Sequence, residues 1–258
     1  MRGAKTWRLL GTVTAVLLVI GGGSQTWAMV VQQRSVAERP YDVSIRKLKL
    51  DTGNASVRVR PGREGRVVVR QQLDWTIRKP VVSAVFEGDE LTLGLQCRLV
   101  LPFVDLGCGA QIELEVPAGT DVSGQFGSGS VDVEGLSGNV RLEGTSGAAQ
   151  LSGLSGEVYA HLTSGLVKGE DLSSARVDAA TTSGAVELAF TRAPHAVDVS
   201  TTSGSVTMTV PKGGRYAFSG EAGSGSRHID PELADGSSPN SIRAEVISGS
   251  LRIDAATG

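Results

Sequence analysis

From Phe126 to Val167 the chain reads FGSGSVDVEGLSGNVRLEGTSGAAQLSGLSGEVYAHLTSGLV. Ser128-Gly129, Ser137-Gly138, Ser146-Gly147, Ser155-Gly156 and Ser164-Gly165 follow one another in steps of nine residues, and Ser173-Ser174 continues the series. The register then moves to Ser183-Gly184, Ser203-Gly204, Ser224 and Ser248-Gly249, in steps of ten, twenty, twenty-one and twenty-four. The longer steps read as double units with small insertions. A valine stands three residues after the serine at Val131, Val140, Val158, Val167, Val186 and Val206, with Ala149 and Leu251 as substitutes. Apolar residues then alternate, as in Val131/Val133, Val140/Leu142, Val186/Leu188 and Val206/Met208/Val210. A period of two over four or five residues specifies a short strand with one face inward.

No single unit carries an apolar face wide enough to stand alone. Stacked in register at about 4.8 Å per coil, the inward valines and leucines form a continuous core and the Ser-Gly corners a column. Glycine at each boundary supplies positive φ or room for close stacking, and the serines and threonines beside it suit turns. No helical period survives ten residues without glycine after Val31. The pattern therefore predicts an all-β chain, a β-solenoid over residues 126–258. An antiparallel sandwich with a glycine turn every nine residues is the rival. It accounts less well for corner chemistry that recurs at one position.

Residues 41–125 are β as well, but irregular. Leu48–Val59 has a strand, glycine turn, strand form, and Val67-Val68-Val69, Val81-Val82, Leu91-Thr92-Leu93 and Ile112–Val116 supply further strands. No proline-rich linker divides this part from the repeats, so one continuous domain is expected.

The N-terminus differs in kind. Arg2, Lys5 and Arg8 precede an apolar run from Leu9 to Ile20; Trp7 and Trp27 bracket it, and Ala28–Val31 extends it. An uncharged stretch approaching ~20 residues, with tryptophans at its borders, matches a bilayer span. Residues 9–31 are thus expected to be a transmembrane signal-anchor, after a cytoplasmic start at 1–8 and before a linker at 32–40. A cleaved signal peptide ending at the weak site Thr26-Trp27-Ala28 is the alternative. Cys97 and Cys108 are the only cysteines, spaced like the arms of a hairpin. Such a pair reads as a disulfide in an oxidising compartment, stabilising the fold by about 2–3 kcal/mol, against two unrelated buried thiols. The bulk of the chain is then extracytoplasmic, in a single-pass protein of the bacterial cell membrane.

Composition narrows the function. Glycine is 34 of 258 residues, roughly double the usual ~7%, but no Gly-x-y period makes it collagen. The net charge of −2 divides into +3 over residues 1–31, +5 over 32–100 and −10 over 101–258, which recommends no nucleic-acid partner. Aromatic residues at 4% are too sparse for a stacking platform.

The Thr-Ser-Gly-x-Val units at Thr182–Val186 and Thr202–Val206, with Thr163-Ser164-Gly165, resemble the bacterial adhesin-like, or toastrack, domain of unknown function. So do Val116-Pro117-Ala118-Gly119 and Val210-Pro211-Lys212-Gly213. The resemblance covers residues 41–258. It implies a single-stranded right-handed β-helix on envelope proteins, linked to adhesion and to envelope-stress systems, and it brings no catalytic residues, cofactor or metal. Other envelope proteins or cell-surface ligands are the partners it implies.

A search for chemistry agrees. A nucleophile elbow needs Gly-x-Ser-x-Gly, whereas Gly135–Gly138, Gly144–Gly147 and Gly153–Gly156 bring the second glycine one place early. His161, His195 and His228 have no ligand or triad spacing, and no phosphate loop is present. The alternative is a carbohydrate-active β-helix enzyme, a polysaccharide lyase or hydrolase, which needs convergent acids in a groove. Asp132, Glu134 and Glu143 are the residues that could form such an outward acidic strip, but an ordinary solvated face is the preferred reading of them.

Overall fold

The computed structural model describes residues 33–75, 79–96 and 108–256. The expected anchor at 9–31, Cys97 and the side chain of Cys108 lie outside them. Seventeen strands make up the described residues: β1 (Gln33–Tyr41), β2 (Lys47–Gly53), β3 (Ser56–Pro61), β4 (Val67–Trp75), β5 (Val81–Glu87), β6 (Glu90–Gln96), β7 (Cys108–Val116), β8 (Asp121–Phe126), β9 (Ser130–Glu134), β10 (Val140–Gly144), β11 (Ala148–Ser152), β12 (Val158–Leu172), β13 (Arg176–Phe190), β14 (Ala196–Val210), β15 (Ala217–Ser219), β16 (Ala222–Ile229) and β17 (Ser241–Ala255). A 3-10 turn, Pro231–Leu233, is the one helical element among them. No helix of the described residues is long and apolar enough to cross a membrane.

Parallel pairing decides between the two architectures. β10 pairs in parallel with β8 and with the first half of β12, β11 with β9 and with the second half of β12. β12, β13, β14 and β17 then stack with their repeats in register, Val167 on Val186, Val186 on Val206 and Val206 on Leu251. Each coil is a flattened loop of two half-strands, one on each of two opposed faces. A sandwich would have antiparallel neighbours here, so the chain is a β-solenoid. The inward alternation explains why it holds: Val131, Val140, Val167, Val186, Val206 and Leu251 are all essentially buried. At about 25 cal/mol per Å² of apolar surface, this shared core dominates the stability.

Coil order departs from chain order at both ends. β2 lies between β6 and β8, and β3 between β7 and β9, so the coil made by β6 and β7 sits outside one that precedes it in the chain. At the far end β17 lies between β14 and the pair β15 and β16. Antiparallel strands finish the near end: β4 on β7, β1 on β4, and β5 on β6. Tyr41 and Phe86 meet beneath the core, ring centroids 4.8 Å apart.

Candidate binding face

The Ser-Gly pairs occupy two corners. Gly129, Gly147, Gly165, Gly184, Gly204 and Gly249 stand in one column, each against the backbone of the residue beneath it, with Ala55 at the foot. Gly138 and Gly156 belong to the opposite corner, above Thr120. Nine residues is half a coil, and two half-coils of equal length give the same step, so alternate pairs fall on alternate corners. Ser164, Ser183, Ser203 and Ser248 lie in register at the first corner. There Ser146 N–H donates to Gly127 at 2.6 Å, and Asn54 closes the foot by accepting from the Ser128 hydroxyl at 2.9 Å. At the second corner the N–H groups of Ser137, Ser155 and Ser173 donate to Ala118, Leu136 and Leu154. The pairs therefore do structural work at the edges of two faces, and the outward residues between them decide what each face presents.

One face, carrying β6, β2, β8, β10, β15 and the first halves of β12, β13, β14 and β17, is hollowed into a groove of about 870 Å³. Parallel register turns its outward positions into rows about 4.8 Å apart. The outermost row is a ladder of side chain to backbone: Asp121 accepts from Asn139 N–H at 2.7 Å, Asn139 accepts from Glu157 N–H at 2.9 Å, and Arg176 pairs with Glu157. The next row runs Ser123, Arg141, Tyr159, Asp178, Asp198, Arg243. Its centre is a layered cluster. The Arg141 guanidinium lies 3.7 Å from the Tyr159 ring centroid, and the His161 ring stacks on Tyr159 at 3.9 Å. His161 Nε2 is 2.7 Å from Asp178 Oδ1, and Arg141 also pairs with Glu143 at 2.6 Å. Partial loss of water raises the Asp198 carboxyl above the usual carboxylate range; Arg243 opposes that shift, and the like charges of Asp178 and Glu245 add to it. Thr145, Thr163, Thr182 and Thr202 line a second depression beside the first corner.

The opposite face presents ion pairs. Arg58 meets Asp132 at 2.7 Å, Arg60 meets Glu134 and Glu113 at 3.0 Å each, and Arg70 meets Glu115 and Glu38. The three acids do not form one strip. Asp132 and Glu134 are here, neutralised by arginines of β3, whereas Glu143 lies on the grooved face beside Arg141. Half-coil alternation separates them: β9 and β10 are successive half-coils and so face opposite ways.

Of the three histidines, His195 Nδ1 is 2.9 Å from Asn240 Oδ1 at the second corner, and His228 lies 3.4 Å from Asp254. His161 is the one drawn into a cluster. Its partner is 17 residues ahead, whereas the coil step here is 19 and sets His161 on Ala180, so the contact is a diagonal one between coils that a coil-length step alone misses.

The model of the Toastrack DUF4097 family matches residues 109–257, more than half of the chain. No curated protein matches it. A solved candidate cell adhesion protein of Clostridium sporogenes is 16% identical, with 86% of this chain and 100% of that one covered and a TM-score of 0.39. A candidate adhesin of Bacteroides fragilis is 12% identical over 86% of this chain and 97% of its own, with a TM-score of 0.47. One from Parabacteroides merdae is 13% identical over 87% and 97%, with a TM-score of 0.44.

Proposed function

This chain belongs to the Toastrack DUF4097 family, and we propose that it is a non-catalytic envelope protein of the bacterial membrane. In this reading residues 9–31 anchor it, the solenoid is extracytoplasmic and winds right-handed as parallel crossovers do, and a Cys97–Cys108 disulfide pins its near end. The grooved face binds a cell-surface or envelope ligand, making the protein an adhesin or a sensing and scaffold accessory of the envelope. One observation supports this best: the groups at the centre of the groove are committed to one another. The Tyr159 ring is already packed against the Arg141 guanidinium and the His161 ring, which leaves it poorly suited as a platform for a sugar ring. What remains is a rigid, mixed-charge relief in straight rows, suited to recognition by shape and charge.

The test is attachment. Cells carrying the full chain should adhere to a host-cell or envelope surface, and the combined variant Arg141→Ala, Tyr159→Ala and Arg243→Ala should lose that adhesion with little change in melting temperature. Adhesion unaffected by all three changes would move the function off this face.

A second reading, the carbohydrate-active enzyme, has one observation in its favour. Asp178 and Asp198 are neighbours in one row of the groove, one tied to a histidine and the other with a raised pKa. A carboxyl whose surroundings raise its pKa is suited to the general-acid role in such chemistry. Depolymerisation of an envelope polysaccharide that vanishes in Asp198→Asn would establish this reading over the first.

A further inference from the structure

The near end of the solenoid, finished by β1, β4 and β5, is where the chain enters. β1 begins at Gln33, so a single residue separates it from the apolar stretch at 9–31. One residue spans at most about 3.5 Å. Of the five large hydrophobic side chains exposed among the described residues, four are at this end: Val36 (71% exposed) on β1, Val43 just after it, and Val81 and Val85 on β5. Ile247 alone lies elsewhere. Gln33 is paired with Trp75, the last residue of β4. The Lys79 ammonium stands 5.3 Å from the Trp75 ring centroid and donates to Ser35 at 3.3 Å, and Arg34 beside them pairs with Asp74 at 2.8 Å. Valines around a rim, one tryptophan and flanking cations are the composition of a surface that meets lipid headgroups.

We infer that this end is a bilayer-docking surface: the solenoid stands on the membrane with Val36, Val81, Val85 and Trp75 at the headgroup boundary and Lys79 toward lipid phosphates. The inference rests on residues 9–31 being an anchor. Given that anchor, the tether holds this end at headgroup height, and the apolar rim then meets lipid before any soluble partner. A second copy is the less suitable occupant. The second face extends two strands beyond its coil here, β4 and β1, and the grooved face one, β5, so the end is stepped rather than self-complementary.

The experiment uses the full chain in phosphatidylcholine and phosphatidylglycerol bilayers with brominated acyl chains, which quench nearby tryptophan. One protein carries Trp7→Phe and Trp27→Phe, leaving Trp75; the other carries Trp7→Phe and Trp75→Phe, leaving Trp27. Both should lose emission relative to unbrominated bilayers, and Val81→Asp with Val85→Asp should restore Trp75 emission while leaving Trp27 quenched. If Trp27 is quenched and Trp75 is not, the anchor stands and the docking surface is overturned. If neither is quenched, the anchor itself is wrong and the inference falls with it. A Trp75 shielded from both bromolipid and aqueous acrylamide is covered by protein, its own core or another copy, which also overturns the inference.

Discussion

Substituting Gly184 by alanine tests the corner column directly. Gly184 has φ +151°, and a Cβ there would stand 2.9 Å from both the carbonyl carbon and the amide nitrogen of Gly165, and nearer still to its oxygen. Carbon contacts settle near 3.5–4.0 Å, so adjacent coils must part locally by more than the roughly 0.5–1 Å that the carbon and nitrogen contacts alone demand, because the oxygen is nearer. The obstacle is backbone, which cannot swing aside as a side chain would. Overpacking of this kind costs about 1–3 kcal/mol, and a non-glycine residue at positive φ adds about 1–2. Gly184→Ala should therefore lose about 2–5 kcal/mol, which for a domain this size is a fall of roughly 10 °C in melting temperature. Two further glycines separate the contributions. Gly53 has φ +53° but nothing within 4 Å, so Gly53→Ala should cost the conformational share alone, about 1–2 kcal/mol. Gly119 has neither a positive φ nor a neighbour within 4 Å, and Gly119→Ala should stay within about 0.5 kcal/mol. Thermal unfolding by circular dichroism ranks the three. Equal melting temperatures for Gly184→Ala and Gly119→Ala would refute the close approach of the coils.

Other expectations are simpler to state. Val186→Asp should cost several kcal/mol by burying an unpartnered charge, whereas Glu187→Ala, one residue along and exposed, should change stability by less than about 0.5 kcal/mol; similar losses would mean the inward face is misassigned. Because the raised Asp198 pKa holds its proton more tightly in the folded state, that carboxyl favours folding in acid and opposes it as pH rises. Asp198→Asn should thus raise the melting temperature at pH 7 and lose that gain below about pH 4, and a gain that grows in acid would contradict the shift. Thiol labelling of the unreduced, denatured chain should find no free cysteine at 97 or 108; two reactive thiols would reject the disulfide. Mass measurement of the mature protein should retain residues 9–31, and a chain starting at Met29 would reject the anchor.

The strand pattern was legible because alternation is local. Val131/Val133 and Val186/Leu188 carry their inward direction in four residues, and the structure buries all four. The division of the Ser-Gly pairs between two corners was hidden because both half-coils have the same length and the same turn chemistry. The swapped coils could not be read at all: nothing in Leu48–Val59 says that Leu91 and Ile112 will stack outside it, since pairing across forty or fifty residues leaves no periodic trace. Tyr159, Arg141 and His161 were illegible as a cluster for a related reason. Their neighbourhood depends on the coil length, which a nine-residue step halves.

The interior position of β17 bears on how the domain is completed. A solenoid whose last coil is outermost can add turns as its chain emerges. Here β14 and the β15–β16 segment are made first, and each lacks its partner strand until Ser241–Ala255 enters between them. Until then each presents an unpaired edge, the kind of surface on which strands from other chains add. Completion is therefore a wedging step, and a product cut short before Ser241 is left with a gap inside the stack instead of a shorter rod. Such a fragment would be an early target for proteolysis, which makes intactness of the final fifteen-residue strand a condition for the whole upper stack rather than for its tip.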